Sequence, residues 1–369
     1  MKTKLNIAFF ASSLVSAYWN GAATYYRGIV RALHERGHRV HFYEPDAFGR
    51  QQHRDMADPD WAEVIVYPGT GDANALRMVE HARGADLVVK ASGVGVFDAL
   101  LEAAVLDLQG PSTRVVFWDV DAPATLDRLG ANPEDAFHAL VPRYDMVLTY
   151  GGGDPVVQAY RRFGARECVP IYNALDPSTH HPVGPDPRFE ADLGFLGNRL
   201  PDREARVDEF FLRAASLLPE GRFLLGGSGW EDKAMPTNVR YLGHVYTADH
   251  NAFNRTPMAV LNVSRDSMAR YGFSPATRVF EAAGSAACLI TDAWEGIELF
   301  LEPGTEVLVA ANGDEVAAHV RSLDAQAARR IGEAACRRVL AEHTYAHRAA
   351  QLEALLEGRD ATQPLEVLA

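Results

Sequence analysis

Residues 271–292 read YGFSPATRVFEAAGSAACLITD. Ser274 is a residue type that caps helix starts, and Pro275 suits a first helical turn. A helix is predicted over 275–286, and the apolar run 288–291 behind it reads as a strand. The same alternation extends in both directions. Downstream come a strand at 307–309, a helix at 315–323 and a long helical pair over 326–356. Upstream, strands at 193–196, 222–225, 239–242 and 259–263 surround a helix at 203–217. The first half repeats the scheme, with strands at 5–11, 39–43, 64–67, 87–91, 114–118, 146–149 and 168–171. Helical patterns at 22–36, 73–82, 96–106 and 155–163 lie between them, and Gly37 stands where a C-cap glycine is favoured. This order predicts parallel sheets with helices on both faces.

A chain of 369 residues suits two such domains rather than one core. Residues 173–188 carry Pro177, Pro182, Pro185 and Pro187, a density that neither a helix nor a central strand tolerates. The expected division is therefore an N-terminal domain over 1–175, a hinge over 176–190, a second domain over 191–345, and a terminal helix and tail over 346–369. His180 and His181 fall in the hinge; the pair suggests a metal site, but with no second cluster nearby they are expected to be solvated linker residues. In open parallel sheets ligands bind at the carboxyl ends of the strands. Two such sheets facing each other place a site between the domains.

The net charge of −13 argues against a non-specific grip on nucleic acid. Cys168, Cys288 and Cys336 are far apart and lack metal-ligand spacing, which points to a reducing, cytoplasmic setting. Lys2 and Lys4 precede an apolar run over 5–11 that imitates a leader. The run is short, Asn6 interrupts it, and it reads better as a first strand. No stretch reaches the length of a membrane span.

The helix start near Ser274 offers free amides and a positive dipole end to an anion such as a diphosphate. Thr277 and Arg278 lie in its first turn. Glu281, further in, can accept hydrogen bonds from the two vicinal hydroxyls of a ribose.

Five segments, in this order and spacing, resemble a known family: FLGNRLPDRE at 195–204, RYLGHV at 240–245, LNVSRDSMARYGFSPATRVFEAAG at 261–284, LITDAWEGIELFLEPGTEVLVA at 289–310 and HTYAHRA at 343–349. Residues 192–356 are similar to the C-terminal domain of GT-B glycosyltransferases, of the group 1 type and specifically the CgeB-like (spore-maturation-protein) branch. The resemblance implies a GT-B fold, two Rossmann-like α/β/α domains facing a central cleft. It also implies a nucleotide-diphosphate sugar as donor, with no further cofactor and no metal. It places Glu281 at the ribose and Ser274, Thr277 and Arg278 near the diphosphate. Asn198, Arg199 and Arg203 follow the first strand of this domain, where a guanidinium can neutralise the departing diphosphate. Gly227, Ser228, Gly229, Tyr241 and His244 look like walls around the base. Many retaining relatives carry a second Glu eight positions before the ribose Glu. Phe273 stands there, so the stereochemical outcome does not carry over.

Gly21, after the first strand, resembles the glycine loop facing the donor. Asp119 and Asp121 end a buried strand, where either can take the proton of an acceptor hydroxyl. Each also has a structural alternative: Asp121 as a helix cap and Asp119 as a turn ligand. The same D-x-D imitates the metal signature of GT-A enzymes, a reading that leaves the C-terminal resemblance unexplained. Two further functions share the architecture, a nucleotide-sugar 2-epimerase and a non-catalytic nucleotide-sugar-binding protein. The acceptor is not identified by the sequence.

Overall fold

Strands that are buried on both faces of a parallel sheet must be apolar throughout. The run Leu87–Ala91 meets this rule along its whole length and is buried at every position. The structure is a computed structural model that describes residues 4–18 and 20–359. Lys2 of the leader-like run and the tail beyond residue 359 lie outside them. The chain divides into two units, one comprising Met1–Tyr172 and Tyr345–Ala369, the other Asn173–Thr344.

The first unit runs β1 (Asn6–Phe10), α1 (Ala23–Glu35), β2 (Arg39–Asp46), β3 (Glu63–Pro68), α2 (Asp72–His81), β4 (Leu87–Ala91), α3 (Asp98–Ala104), β5 (Arg114–Asp119), α4 (Ala122–Ala131), α5 (Phe137–Leu140), β6 (Met146–Thr149), α6 (Gly153–Arg162) and β7 (Cys168–Pro170). All seven strands are parallel, in the order β3-β2-β1-β4-β5-β6-β7. The order reverses between β1 and β4. That is the topological switch point, where such sheets open a crevice at their carboxyl ends.

The second unit runs β8 (Leu193–Leu196), α7 (Pro201–Val207), one π-helical turn (Asp208–Leu212), α8 (Arg213–Leu217), β9 (Phe223–Gly226), β10 (Val239–Tyr241), α9 (His250–Arg255), β11 (Ala259–Asn262), α10 (Asp266–Tyr271), α11 (Thr277–Gly284), β12 (Leu289–Asp292), β13 (Leu308–Ala310), α12 (Gly313–Ser322) and α13 (Ala325–Glu342). Its six strands are parallel in the order β10-β9-β8-β11-β12-β13, with the switch point between β8 and β11.

The last helix, α14 (Tyr345–Leu356), belongs to the first unit rather than standing apart as a terminal appendage. Glu353 accepts from Arg36 and pairs with His38 at 2.8 Å, while Arg348 donates to the Tyr172 carbonyl at 3.2 Å. Gly28 on α1 makes the close approach possible: a Cβ there would sit 2.2 Å from the Tyr345 ring. The proline-rich stretch belongs to the second unit, where Leu175 N–H donates to His343 O at 2.8 Å. All three cysteines are buried and free. Among the described residues no helix is long and apolar enough to cross a membrane.

Candidate functional site

In the second unit, the loops after β8, β9 and β11 converge on the carboxyl side of the switch point. Glycines let the first two touch. Gly227, at φ +122, has its α-carbon so near the 197–198 peptide that a Cβ would lie 2.2 Å from Gly197 O. Ser228 N–H donates to Asn198 Oδ1 at 3.0 Å, and Arg199 N–H donates to Ser228 O at 3.0 Å. Asn198 and Ser228 therefore lock the two loops together. Tyr241 does similar work: its hydroxyl lies 2.9 Å from Gly227 O and 2.8 Å from Glu231 Oε1. His244 is exposed and packs edge-on against Tyr246 with ring centroids 4.7 Å apart, an accessible aromatic pair beyond β10.

The two arginines of the β8 loop have opposite fates. Arg199 is spent on carboxylates. It makes two 2.8 Å bonds to Glu204 and a third to Asp232. Hydrogen bonds from Arg199 and Lys233 hold the Glu204 carboxyl down at about 2. The Arg199 guanidinium, expected near a departing diphosphate, is thus engaged by these carboxylates in the unliganded protein.

Among the described residues Arg203 makes no ion pair with a carboxylate. It donates to Asn198 O at 2.5 Å and lies over the Phe195 ring, and its buried Nε has no partner. Burial and the positive Arg278 lower its guanidinium to about 10. A desolvated cation facing a second cation is a place that an anion stabilises. Arg278 itself donates to Asn254 Oδ1 at 3.2 Å and lies 3.6 Å from Glu281.

The helix start differs from the expectation. Gly272 and Phe273 both take positive φ, +68 and +46, and Phe273 N–H donates to Glu295 O at 2.6 Å. That turn puts Ser274 and Pro275 in the loop. Ser274 is buried, and Pro275 O accepts from Asn173 Nδ2 at 3.0 Å. Ala276 is extended and α11 starts at Thr277, with no side chain capping its end. The uncapped first turn of α11 thus carries Thr277 and Arg278, and its dipole still favours an anion there.

Glu281 projects from the next turn of α11. Its side chain is only 13% exposed, yet among the described residues it accepts no hydrogen bond, its sole ion pair being Arg278 at 3.6 Å. Burial alone would raise its carboxyl. Arg278, together with His180 and His250, outweighs that and holds it below the usual range. Two histidines that the sequence did not single out as site residues stand beside it. The best ligand atoms of His180, His250 and Glu281 all lie within 4.8 Å of one another. His180 is 5% exposed and not a solvated linker residue, whereas His181 is exposed. Burial lowers both His180 and His250, the latter, with Arg278 adding to it, to about 4.

The 292 carboxylate supports the site from below. Asp292 is fully buried, binds Arg206 at 2.6 Å and accepts from the Ser264 N–H and hydroxyl, pinning the loop after β11. Two open cavities of this unit lie elsewhere. One of about 380 Å³ is lined by Asp192, Arg222, Met258 and Cys288, at the amino ends of the strands. Switch-point chemistry belongs to the opposite ends, so this cavity is not the donor site.

In the first unit, Gly21 is exposed and a Cβ there meets nothing within 4 Å. Just before it, Asn20 donates to Ser13 O and Ser16 O and accepts from Ser12 Oγ. Asp119 and Asp121 separate clearly. Asp119 is fully buried and accepts from Ser92 Oγ (2.7 Å), Asp121 N–H (3.0 Å), Thr125 Oγ1 (3.1 Å) and Tyr160 Oη (2.5 Å). That geometry gives it a structural task, knitting β4, β5, α4 and α6. Asp121 takes the N-cap position of α4 but makes no side-chain cap, and is half-buried. Asp119→Ala is expected to cost about 3 kcal/mol of stability, since it orphans four buried donors. Asp121→Asn is expected to leave stability within about 0.5 kcal/mol. Urea unfolding of the two variants checks both values.

Residues 203–354 match a family model described as Glycosyl transferase-like. Among curated proteins none matches the sequence. Solved structures match over nearly the whole chain. HepE of Anabaena, in complex with UDP and glucose, is 15% identical with a TM-score of 0.66, covering 96% of this chain and 100% of that one. The sucrose-phosphate synthase of Thermosynechococcus elongatus is 14% identical with a TM-score of 0.69, covering 97% and 99%. AviGT4, a glycosyltransferase involved in avilamycin A biosynthesis, is 16% identical with a TM-score of 0.58, covering 96% and 98%. Two parallel-sheet α/β units with these strand orders, matched end to end by such enzymes, make this chain a protein of the GT-B glycosyltransferase fold.

Proposed function

We propose that the chain transfers a sugar from a nucleoside-diphosphate donor to an acceptor hydroxyl or amine, and that the second unit holds the donor. The carrying observation is the uncapped start of α11, which carries Thr277 and Arg278, with the partly desolvated guanidinium of Arg203 under the influence of the Arg278 charge. A diphosphate there offsets both positive charges and bonds to the Thr277 and Arg278 amides. Glu281 then accepts from the two ribose hydroxyls, and the His244–Tyr246 pair lies against the base. Complexes of HepE with UDP and UDP-glucose support a uridine nucleotide as the first donor to try.

In the reaction the bond between the anomeric carbon and the diphosphate oxygen breaks, and its electron pair leaves with the diphosphate. The two guanidiniums neutralise that developing charge, which replaces the divalent ion other transferases use. The acceptor atom bonds to the anomeric carbon and gives its proton to a base. Asp121 is the carboxylate we assign to that step, since Asp119 is already saturated. The CgeB-like branch and a reducing cytoplasmic setting complete the proposal.

The test is incubation with a panel of nucleotide sugars, with and without acceptor extract, in the presence of EDTA. Acceptor-dependent release of nucleoside diphosphate is expected. A changed sugar still attached to its nucleotide would make the protein an isomerase. Binding without turnover would make it a sensor, and abolition by EDTA would contradict the metal-free mechanism.

A further inference from the structure

We propose that His180, His250 and Glu281 form a binding site for a transition-metal ion of the zinc class, and that this ion competes with the sugar nucleotide. The competition rests on the assignment of Glu281 to the ribose; the site itself does not. The three residues come from separate elements. His180 lies in the proline-rich segment, His250 begins α9, and Glu281 projects from α11. Their ligand atoms lie within 4.8 Å of one another. Zinc bonds of about 2.0–2.2 Å at tetrahedral angles hold ligand atoms about 3.4 Å apart, so the three side chains must draw together on binding.

Each histidine has one ring nitrogen engaged by an oxygen and the other left over. His180 Nδ1 lies 3.0 Å from Thr179 Oγ1, and its Nε2 is buried with no partner. A buried imidazole nitrogen left unpaired costs free energy, and a metal bond removes that cost. His250 Nε2 lies 3.3 Å from the Val245 carbonyl oxygen. A carbonyl only accepts, so Nε2 carries the proton and the Nδ1 lone pair is left for a ligand. Fixing one ring nitrogen with an oxygen while the other binds metal is the usual second-shell arrangement. Two imidazoles and one carboxylate suit zinc, copper or nickel better than magnesium or calcium. Three protein ligands also leave one position for water.

Arg278, 3.6 Å from Glu281, contends with the ion for the same carboxylate. That opposition favours a removable ion over a structural one. An ion seated on Glu281 withdraws the acceptor of the ribose hydroxyls, so metal and donor exclude each other.

The test is a titration of the full-length, chelator-treated protein with Co²⁺, read by its visible absorption. One equivalent is expected to bind with no sulfur-to-cobalt charge-transfer band, and Zn²⁺ is expected to displace it. His250→Gln, at a half-buried position, and Glu281→Gln are each expected to weaken Co²⁺ binding at least tenfold, and His180→Ala to do the same. A thiolate band, or unchanged binding in both glutamine variants, would overturn the site. UDP is expected to weaken Co²⁺ binding at least tenfold. If calorimetry shows UDP bound without displacing cobalt, the competition is refuted. If UDP fails to bind the metal-free protein, the donor assignment fails and the competition with it, while the cobalt titration still decides the site.

Discussion

Arg203→Met is expected to weaken donor binding at least about 30-fold while leaving the unliganded protein no less stable than the wild type. The two effects have one cause. In the free protein Arg203 is desolvated, bonded only to Asn198 O, and repelled by Arg278, which brings its guanidinium down to about 10. Replacing a strained buried cation by an apolar side chain of similar length is often neutral or stabilising. Methionine also keeps the contact with Phe195. With a diphosphate present the balance reverses. A fully charged guanidinium against a phosphate is one of the strongest hydrogen-bonding pairs a protein makes. Its loss costs about 2–5 kcal/mol, or roughly 30-fold to several-thousand-fold in affinity. Calorimetry with UDP and thermal unfolding without it read the two sides separately. A variant that unfolds early would mean Arg203 is structural. A variant that binds UDP normally would remove it from the donor site.

Glu281→Gln is expected to raise the donor dissociation constant about 10- to 100-fold, the worth of one to two hydrogen bonds to a charged acceptor. An amide still fills the volume, so loss of packing does not explain the change. The sharper readout is a cycle with a 2′-deoxy nucleotide. Wild-type protein is expected to bind the deoxy compound more weakly than the ribose compound, and Glu281→Gln to bind both about equally. Coupling of at least 0.5 kcal/mol in that cycle identifies a direct contact. A full loss for both substitutions taken separately, adding without coupling, would place Glu281 away from the pentose.

The thirteen strands of the described residues were legible in the sequence, with ends shifted by a residue or so except for β2, which runs three residues past Tyr43, because a buried parallel strand favours a continuous apolar run. Short helices were not. His250–Arg255 and Asp266–Tyr271 are six residues each, too short for a helical period to register. The helix over Thr277–Gly284 was legible, but its start was not. Ser274-Pro275 carries the local signal of a cap, and the left-handed turn at Gly272 and Phe273 overrides it by placing both residues in the loop. Nothing in a local window reports a φ of +46 at a phenylalanine.

The candidate site was half legible for a related reason. Glu281, Arg278 and Thr277 share one turn of helix, so their proximity follows from spacing alone. Arg199 and Arg203 look equivalent in GNRLPDRE. What separates them is Asp232, more than thirty residues on, which together with Glu204 neutralises the first and leaves the second. His180 sits in a proline-rich stretch that reads as solvent-exposed, and its burial against residues 70 and 101 positions away is a tertiary fact. The one sequence signal that pointed there was the histidine pair itself. Asp119 and Asp121 show the same limit: two positions apart at the end of a buried strand they read alike, and only the four donors around Asp119 show which is saturated.

The most direct measurement is a crystal structure of the protein with UDP. If the second unit holds the donor, both phosphates lie against the start of Thr277–Gly284 with Arg203 and Arg278 in contact, and the ribose hydroxyls meet Glu281. Density for the nucleotide at the 380 Å³ cavity beside Asp192 and Arg222, or anywhere on the first unit with the Arg203–Arg278 pair still bare, would contradict it.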